Sequence, residues 1–450
     1  MVEEEKKESP PTRTKNASAV TIAEGASELY NPFEYRKNKH GTTNLGAATH
    51  LIKSSLGSGI LAMPSAIKSG GLLFGGVGTL LIGVLCTHCV HILVRSSQAL
   101  CRKARAPQMT YAEVAAAAFE HGPEPLRGHA ARARSLVNWT LCATHVGGIC
   151  VYVVLIATGL KQLGDHYCGR VIDVRIYMLC LAPALLLIGQ IRHLNILVPF
   201  SIVANLSLTI SLAVTLYYVL GDIQPLDKLH LIADWHQMPK FFATVIFAIE
   251  GIGTVMPIEN SMKNPKNFIG CPSVLNISMM VVVTLYTLTG LLGYMSFGDA
   301  ADGSFSNNLP IDKTIGQIAK LLVALSVTLT YGLQYFVPME IIWTATKHRF
   351  GHRWENVGQT VLRVILVLFT VCVAIIVPTL APFISLVGSI FFSILGICFP
   401  AIIETVSCWD GHLGSGYWRV WKNVFLVLFS LGALVTGTWV SVLDILKLYK

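Results

Sequence analysis

The chain carries two copies of one helix-breaking motif, set far apart inside strongly apolar segments. Residues 57–64 read GSGILAMP and residues 251–257 read GIGTVMP, so each copy has Gly-x-Gly followed closely by Met-Pro. Glycine and proline interrupt a continuous helix, and an interrupted backbone is tolerated in a bilayer only where it lines a cavity or meets protein. Two such breaks in corresponding halves of a membrane chain indicate a transporter's substrate site.

The composition is typical of a polytopic membrane protein. Of 450 residues, 53% are hydrophobic and only 13% are charged, against about 25% charged residues in soluble domains. The net charge of +9 does not indicate nucleic-acid binding, because the basic residues lie in a polar tail and short loops rather than in a stripe with aromatic residues between them. We therefore expect a lipid bilayer, and no nucleic acid, as the partner of this chain.

Eleven apolar segments approach the length of about 20 residues that crosses a bilayer. They are residues 46–67, 72–94, 136–160, 176–191, 195–220, 240–260, 274–296, 316–342, 361–379, 382–404 and 423–446. Residues 1–43 are polar and charged and predict a disordered tail, whereas residues 44–446 form the transmembrane domain. In the loop between the second and third spans, residues 109–119 favour a short cytoplasmic surface helix.

Lysine and arginine set the orientation. The tail holds seven of them and the loop after the second span holds seven more, whereas the loops after the third and fifth spans together hold four. Because positive residues stay on the cytoplasmic side, the N-terminus is predicted to be cytoplasmic. Eleven crossings then place the C-terminus on the extracellular or lumenal side.

The two breaks lie in the first and sixth spans, which are five spans apart. Since five is odd, the second unit enters the membrane from the opposite face, as in inverted-repeat transporters. The predicted fold class is an all-α polytopic membrane protein with eleven transmembrane helices and a 5+5 inverted repeat. The repeats cover residues 44–220 and 240–404, helices 1 and 6 are broken, and residues 423–446 form an extra helix.

The two breaks together offer both kinds of group that a free amino acid requires. Unwinding over residues 56–59 and 249–253 exposes N–H groups at half-helix N-termini, which suit a carboxylate, and carbonyls that suit an ammonium group. The predicted substrate-binding residues are Ser55, Gly57, Ser58, Gly59, Ile249, Glu250, Gly251, Gly253 and, from the third span, Tyr152. Two alternatives remain open: glycines that only allow close helix packing, and a Tyr152 hydroxyl satisfied within the bundle.

His50 and Glu250 are the candidate proton-coupling residues. His50 lies seven residues before Gly57, which is two helical turns and roughly 10 Å away on nearly the same face. Imidazole changes its charge between pH 5 and 8, so an acidic compartment can load it. Glu250 is a carboxylate at the second break, where an unpaired charge is costly. The alternative for His50 is a hydrogen bond to a neighbouring helix.

Other classes of protein find little support in the sequence. It has no Walker motif, and Gly57-x-Gly59 lacks the third glycine and the preceding strand of a dinucleotide loop. On a helix, His88 points away from the pair Cys86 and Cys89, which argues against a zinc site. We predict no enzymatic activity, no catalytic residues, no metal and no cofactor.

Four stretches, residues 30–35, 49–68, 247–260 and 331–340, resemble the proton-coupled amino acid transporters of the amino acid/auxin permease superfamily. The resemblance covers about residues 28–446. It implies eleven helices and symport of a proton with small neutral amino acids such as alanine, glycine and proline. The proton-coupling histidine of that family corresponds to His50. Vertebrate members pair a cysteine after helix 3 with one after helix 7, but residues 297–315 here contain no cysteine.

We therefore expect a symporter that moves small neutral amino acids and protons toward the cytosol. Sodium coupling, facilitated diffusion, exchange and an amino acid sensor that signals through the cytoplasmic tail remain alternatives. Residues 30–33 match a tyrosine-type sorting signal, which would give the tail a cytoplasmic sorting or signalling partner. The expected location is the plasma membrane or the late endosome and lysosome, since each has an acidic far side.

Overall fold

The structure, a computed structural model of the chain, describes residues 30–36, 41–192, 194–249, 251–409 and 413–449. Within these ranges the regular secondary structure is helical, which confirms the predicted all-α class. The main helices are α1 (Asn44–Ser55), α2 (Gly59–Gly70), α3 (Leu72–Lys103), α4 (Tyr111–Glu120), α5 (Ala130–Cys168), α6 (Val174–Gly189), α7 (Leu194–Gly221), α8 (Met238–Ile249), α9 (Ile252–Ser261), α10 (Val274–Phe297), α11 (Thr314–Thr346), α12 (Glu355–Ile376), α13 (Leu380–Ser407, with two short π-helical stretches) and α14 (Trp418–Leu446).

Nine helices in the described part of the chain are long and apolar enough to cross a membrane, counting α8 and α9 together. Helix α6 is apolar but shorter, with 16 residues. The first predicted span is built from α1 and α2, which have 12 residues each and are individually too short to cross. The count of eleven crossings stays a prediction, made up of these nine, α6 and the α1–α2 pair.

Most helices begin and end within a few residues of the predicted spans, and α3 and α5 are the main exceptions. Helix α5 covers Ala130–Cys168 rather than residues 136–160, and α3 continues to Lys103 rather than residue 94. The extension has a buried side formed by Ser96, Ser97, Leu100 and Cys101, so packing against neighbouring helices stabilises it beyond the apolar stretch.

Both predicted breaks are present, but they are shorter than expected. Helix α1 ends at Ser55 and α2 begins at Gly59, while α8 ends at Ile249 and α9 begins at Ile252. Gly59 and Ile249 are therefore helical, as is Gly253 within α9. The first break is short because Leu56 N–H still donates to the Ile52 carbonyl at 2.7 Å and Leu61 N–H already donates to the Ser58 carbonyl at 3.1 Å.

The two halves of the first broken helix are buried to different extents. In α2 every residue except Lys68 is buried, whereas α1 buries only the stripe Ala47, Leu51 and Ser55. Helix α10 packs closely against α2 and encloses it. The packing is so close that a Cβ atom added to Gly290 of α10 would come within 2.8 Å of Ile67. The bundle is therefore tightly packed around α2 and more open around α1. We call the face where α1 begins the N-terminal face; α3, α9 and α13 end there.

A short segment before α1 packs onto the N-terminal face. The Arg36 guanidinium lies 3.0 Å from the Glu259 carboxylate of α9, and both side chains are almost fully buried. Gln98 of α3 donates to the same carboxylate at 3.1 Å, and the Arg36 Nε donates to the Pro107 carbonyl. This packing differs from the disordered tail expected for residues 1–43, of which residues 1–29 and 37–40 lie outside the described residues.

Replacing Arg36 by glutamine should lower the stability of the protein strongly. The change leaves the Glu259 carboxylate buried without its cationic partner, and breaking a buried ion pair in this way costs about 3–5 kcal/mol. The matched control is Arg134→Gln, which removes an Arg–Glu pair with Glu113 that is 56% and 41% exposed; exposed pairs are worth about 0–1 kcal/mol. Thermal unfolding in detergent compares the two variants. Equal melting temperatures would contradict a stabilising role of the buried Arg36–Glu259 ion pair.

The predicted surface helix at residues 109–119 is present as α4, but it is not a surface helix. Its N-terminus is a capping box, in which the Thr110 side chain accepts from Glu113 N–H and the Glu113 carboxylate accepts from Thr110 N–H. Tyr111, Val114 and Ala118 are buried, and the Tyr111 hydroxyl donates to the Leu395 carbonyl of α13 at 2.6 Å. Its apolar face is therefore part of the core.

Candidate functional site

A cavity lies where the two breaks face each other. The empty space there is about 720 Å³ when the open mouth is counted. Helices α1, α2, α5, α8, α9, α11 and α13 contribute to its wall. The lining residues are Ser54, Ser55, Gly57, Ser58, Gly59, Thr144, His145, Gly148, Tyr152, Phe247, Ala248, Gly251, Ile252, Gly253, Thr254, Gln334, Phe392 and Leu395.

This lining is polar but carries no lysine, arginine, aspartate or glutamate among the described residues. Hydroxyl and amide groups from serine, threonine, tyrosine and glutamine face the space, together with one imidazole. Two phenylalanines, Phe247 and Phe392, form part of the wall and pack edge to face with ring centroids 5.3 Å apart. Such a wall suits a small ligand without a charged side chain, because a buried side-chain charge would find no opposite charge in it.

The Ser55 side chain is a polar group placed at the first break with unused hydrogen-bonding capacity. Its hydroxyl is buried and has no hydrogen-bond partner among the described residues. It points across the cavity, since it would lie 3.2 Å from a Cβ placed on Gly251 of the second break. A buried hydroxyl left without a partner costs free energy, so a bound polar ligand at this place would be stabilised by it.

The two broken helices contact each other directly at the cavity. The Ser54 and Thr254 hydroxyls lie 2.7 Å apart, and Thr254 also donates to the Gly251 carbonyl at 2.9 Å. Further into the bundle, Gly59 sits against the backbone of α8, because a Cβ on Gly59 would come within 2.7 Å of Ala248 Cα. Helix α2 begins at this contact without a side-chain cap, and the N–H groups of Ile60 and Leu61 donate to the Gly57 and Ser58 carbonyls at 3.4 and 3.1 Å.

Helix α5 supplies the opposite wall with two side chains seven residues apart. The Tyr152 hydroxyl faces the side chains of Ser58 and Gln334, and it would lie 3.8 Å from a Cβ on Gly57. His145 is held by its Nδ1, which is 2.9 Å from the Leu141 carbonyl. This contact fixes the orientation of the ring, so that its Nε2 edge borders the cavity.

A second cavity continues from the first toward the N-terminal face. The two share seven lining residues, among them Gly57, Ser58, Tyr152 and Gln334. At its outer part it is lined by His50 and Lys53 of α1, and the His50 side chain is exposed. The site at the breaks is therefore continuous with a space that extends along α1 as far as His50.

Seven of the nine predicted substrate-binding residues line the first cavity. They are Ser55, Gly57, Ser58, Gly59, Gly251, Gly253 and Tyr152. Ile249 is buried and does not line the cavity, because the last residue of α8 points into the packed interior. Glu250, predicted for both substrate binding and proton coupling, lies outside the described residues. Whether these residues bind substrate stays a prediction.

Several lining residues had no role in the sequence-based site. Ser54 and Thr254 each flank a break, so their position beside the motif was a usable signal. His145 shares a helix face with Tyr152 at a spacing of two turns, which was a second signal. Gln334 lies on α11, far from both motifs in sequence, and only the packing of α11 against α5 brings it to the cavity.

Comparison with known proteins places the whole chain beside membrane transporters. Residues 40–443 match the family model described as transmembrane amino acid transporter protein. The chain is 40% identical over 425 residues to the "Proton-coupled amino acid transporter-like protein pathetic" of Drosophila melanogaster, covering 94% of this chain and 90% of that protein. It is 26% identical over 416 residues to the "Probable amino acid transporter skat-1" of Caenorhabditis elegans, with 90% of each covered.

The fold also matches a solved transporter structure at low sequence identity. The inward-facing conformation of Mhp1 superposes with a TM-score of 0.52 at 10% identity, covering 92% of this chain and 91% of that one. At this level the likeness concerns the fold alone.

Proposed function

The chain belongs to the family of transmembrane amino acid transporter proteins, and from this membership we propose that it is a symporter of protons and small neutral amino acids. It is an integral membrane protein, with apolar helices along nearly its whole length. The proposed substrates are amino acids such as alanine, glycine and proline, moved toward the cytosol. Names of relatives support amino acid transport, and the name of the Drosophila relative supports proton coupling.

The observation that carries the proposal is the unpartnered Ser55 hydroxyl, among the described residues, inside a cavity that contains both helix breaks. The uncapped N-terminus of α2 suits the carboxylate of the substrate. Carbonyls at the ends of α1 and α8 suit its ammonium group. The described part of the wall, which carries no charged side chain, and the pair Phe247 and Phe392 favour a small, neutral side chain.

For the site residues we propose the following roles. Ser55, Gly57, Ser58, Gly59, Gly251 and Gly253 form the substrate cradle, and Tyr152 closes it from α5. Ile249 borders the second break as the last residue of α8, and Glu250 is proposed to contribute to the break through its backbone position. His50, in the connected second cavity, carries or gates the proton, with Glu250 as a second proton group.

We propose a cytoplasmic N-terminus and an extracellular or lumenal C-terminus. In support, the N-terminal face carries most of the loop lysines and arginines, including Arg192, Lys263, Lys347 and Arg349 in short turns between helices. The cavity that reaches His50 would then open to the cytoplasm. The membrane is the plasma membrane or the late endosomal and lysosomal membrane, and residues 30–33 offer a site for a cytoplasmic sorting or signalling partner.

Uptake of radiolabelled alanine, glycine and proline into proteoliposomes tests the proposal. We expect accumulation against a concentration gradient when the side opposite the N-terminal face is acidic, and no change when sodium is removed. Uptake that ignores the pH gradient would instead indicate a facilitator or exchanger, and loss without sodium would indicate a sodium symporter. Amino acid binding without net flux would indicate a sensor.

A further inference from the structure

A second polar crevice lies on the N-terminal face, away from both cavities. It is formed by the ends of α3 and α13 and the start of α14. Its charged lining residues are Arg95, Lys103, Glu404 and Arg419, with Ser407 and Cys408 between them. None of these residues lines the substrate cavity or the cavity at His50, so this crevice has no part in the proposed transport path.

The described lining of the crevice is positively charged, with the three cations Arg95, Lys103 and Arg419. Glu404 is the carboxylate among the described lining residues, and its charge is offset by Lys422, whose Nζ lies 2.6 Å from the Glu404 Oε2. Arg419 is positioned by Cys408, whose Sγ is 3.8 Å from its Nη1, and by the Trp418 ring, whose centroid is 5.9 Å away. Asp410 lies outside the described residues.

Aromatic side chains mark this crevice as lying at the membrane surface. Trp409, Tyr417, Trp418 and Trp421 surround the turn between α13 and α14, and all four are exposed. Tryptophan and tyrosine concentrate where a bilayer meets water, at the level of the lipid headgroups. The cations of the crevice are therefore placed at headgroup depth.

Apolar side chains cover the outer side of α14. Phe425 and Leu428, one and two turns after Trp421, are exposed on a helix that is long and apolar enough to cross the membrane. With 3.6 residues per turn they lie on the side of α14 opposite Arg419, which is the side that faces the lipid. A molecule whose charged end lies in the crevice at headgroup depth would therefore have its other end among the lipid chains. This combination fits a lipid better than a soluble phosphate compound.

We propose that this crevice binds the phosphate-bearing headgroup of an anionic lipid in the leaflet at the N-terminal face. Arg95, Lys103 and Arg419 would contact the phosphate groups, and the acyl chains would lie in the surrounding bilayer. Basic pockets between transmembrane helices on the cytoplasmic side are suited to such headgroups. Because the ligand touches α3, α13 and α14 together, it would hold α14 against the repeats.

Lipid binding to the full-length protein tests the proposal. Purified protein in phosphatidylcholine nanodiscs is titrated with phosphatidylinositol 4,5-bisphosphate, and the bound lipid is counted by native mass spectrometry. The triple variant Arg95→Gln, Lys103→Gln, Arg419→Gln should bind the lipid at least about tenfold more weakly, because each lost cation removes favourable interaction with the anionic headgroup.

The matched control removes three cations from another part of the same face, by Lys347→Gln, Arg349→Gln and Arg353→Gln. Equal loss in the control would overturn the proposal, since the attraction would then come from the general charge of the face. Soluble inositol 1,4,5-trisphosphate should compete poorly, and equal binding of it would overturn the assignment to a lipid.

If the triple variant does not fold, the single variant Arg95→Gln replaces it in the experiment. Arg95 is exposed, and its loss should weaken lipid binding several-fold. Wild-type lipid affinity in a folded Arg95→Gln protein would overturn the proposed contact. Because lipid is counted without amino acid present, the result does not depend on the proposed transport activity.

Discussion

Replacing Gly59 by alanine should strongly reduce amino acid uptake, although the change adds a single methyl group. A Cβ at this position would come within 2.7 Å of Ala248 Cα and 2.9 Å of the Ala248 carbonyl oxygen. Both are backbone atoms of α8, which cannot rotate away as a flexible side chain could. Helix α2 must then move from α8, and forced overpacking of this kind costs about 1–3 kcal/mol.

The expected effect is large because the contact lies where the cavity is built. Gly59 is the first residue of α2, so any displacement also moves the N–H groups that would hold the substrate carboxylate. We expect uptake in proteoliposomes to fall by roughly 5- to 150-fold, the factor that corresponds to about 1–3 kcal/mol. Equilibrium binding of alanine to the purified variant should weaken in parallel.

Two glycines of α5 provide controls for the added methyl group. At Gly148, which lines the cavity, and at Gly159, a Cβ would meet no neighbouring atom of the described residues within 4 Å. Gly159→Ala should therefore leave uptake unchanged, and Gly148→Ala should alter it only slightly. If Gly59→Ala transports like Gly159→Ala, the close packing of the two breaks has no role in transport.

A second large effect is expected at His50, where replacement by alanine should eliminate the proton-driven accumulation of amino acids. His50 lines the cavity that continues from the breaks along α1, and its side chain is exposed. In the proposed cycle the imidazole takes up a proton on one side of the membrane and releases it on the other. Alanine at this position cannot, so uptake should no longer respond to a pH gradient.

A measurement that needs no proton gradient separates coupling from folding. Exchange of internal for external alanine at equal pH should persist in His50→Ala if the substrate cradle is intact. His348→Ala, which removes an exposed histidine after α11, is the control and should accumulate alanine normally. Accumulation by His50→Ala at the wild-type level would refute the proposed proton role.

The positions of the helices could be read from the sequence because they depend on local properties. An apolar run bounded by polar residues predicts a helix of membrane length, and α10 follows this rule closely, with residues 274–296 predicted and Val274–Phe297 observed. The breaks were likewise predictable from Gly-x-Gly and proline. The short length of the breaks was not predictable from the sequence. It depends on helical hydrogen bonds, such as the one that Leu61 N–H donates, and these are set by local geometry rather than by residue type.

The candidate site could be predicted only in part, for a different reason. Residues beside the two motifs, such as Ser55 and Gly251, were identified because the motif itself marks them. Gln334 and Phe392 come from α11 and α13 and carry no local signal that distinguishes them from other residues of apolar helices. Similarly, α4 was expected at the surface because its alanines predict a helix but not the helix against which it packs.

By itself, the sequence determined that this protein is an all-helical membrane protein in which two membrane-spanning helices are interrupted at related motifs. Length, hydropathy and the conformational limits of glycine and proline are properties of the chain at each position, so they can be read without knowledge of neighbours. Tertiary structure alone decided that Gly59 meets the α8 backbone, that Ser54 meets Thr254, and that Arg36 is buried against Glu259. These contacts join residues about 190 to 220 positions apart, and only the packing of the whole bundle brings them together.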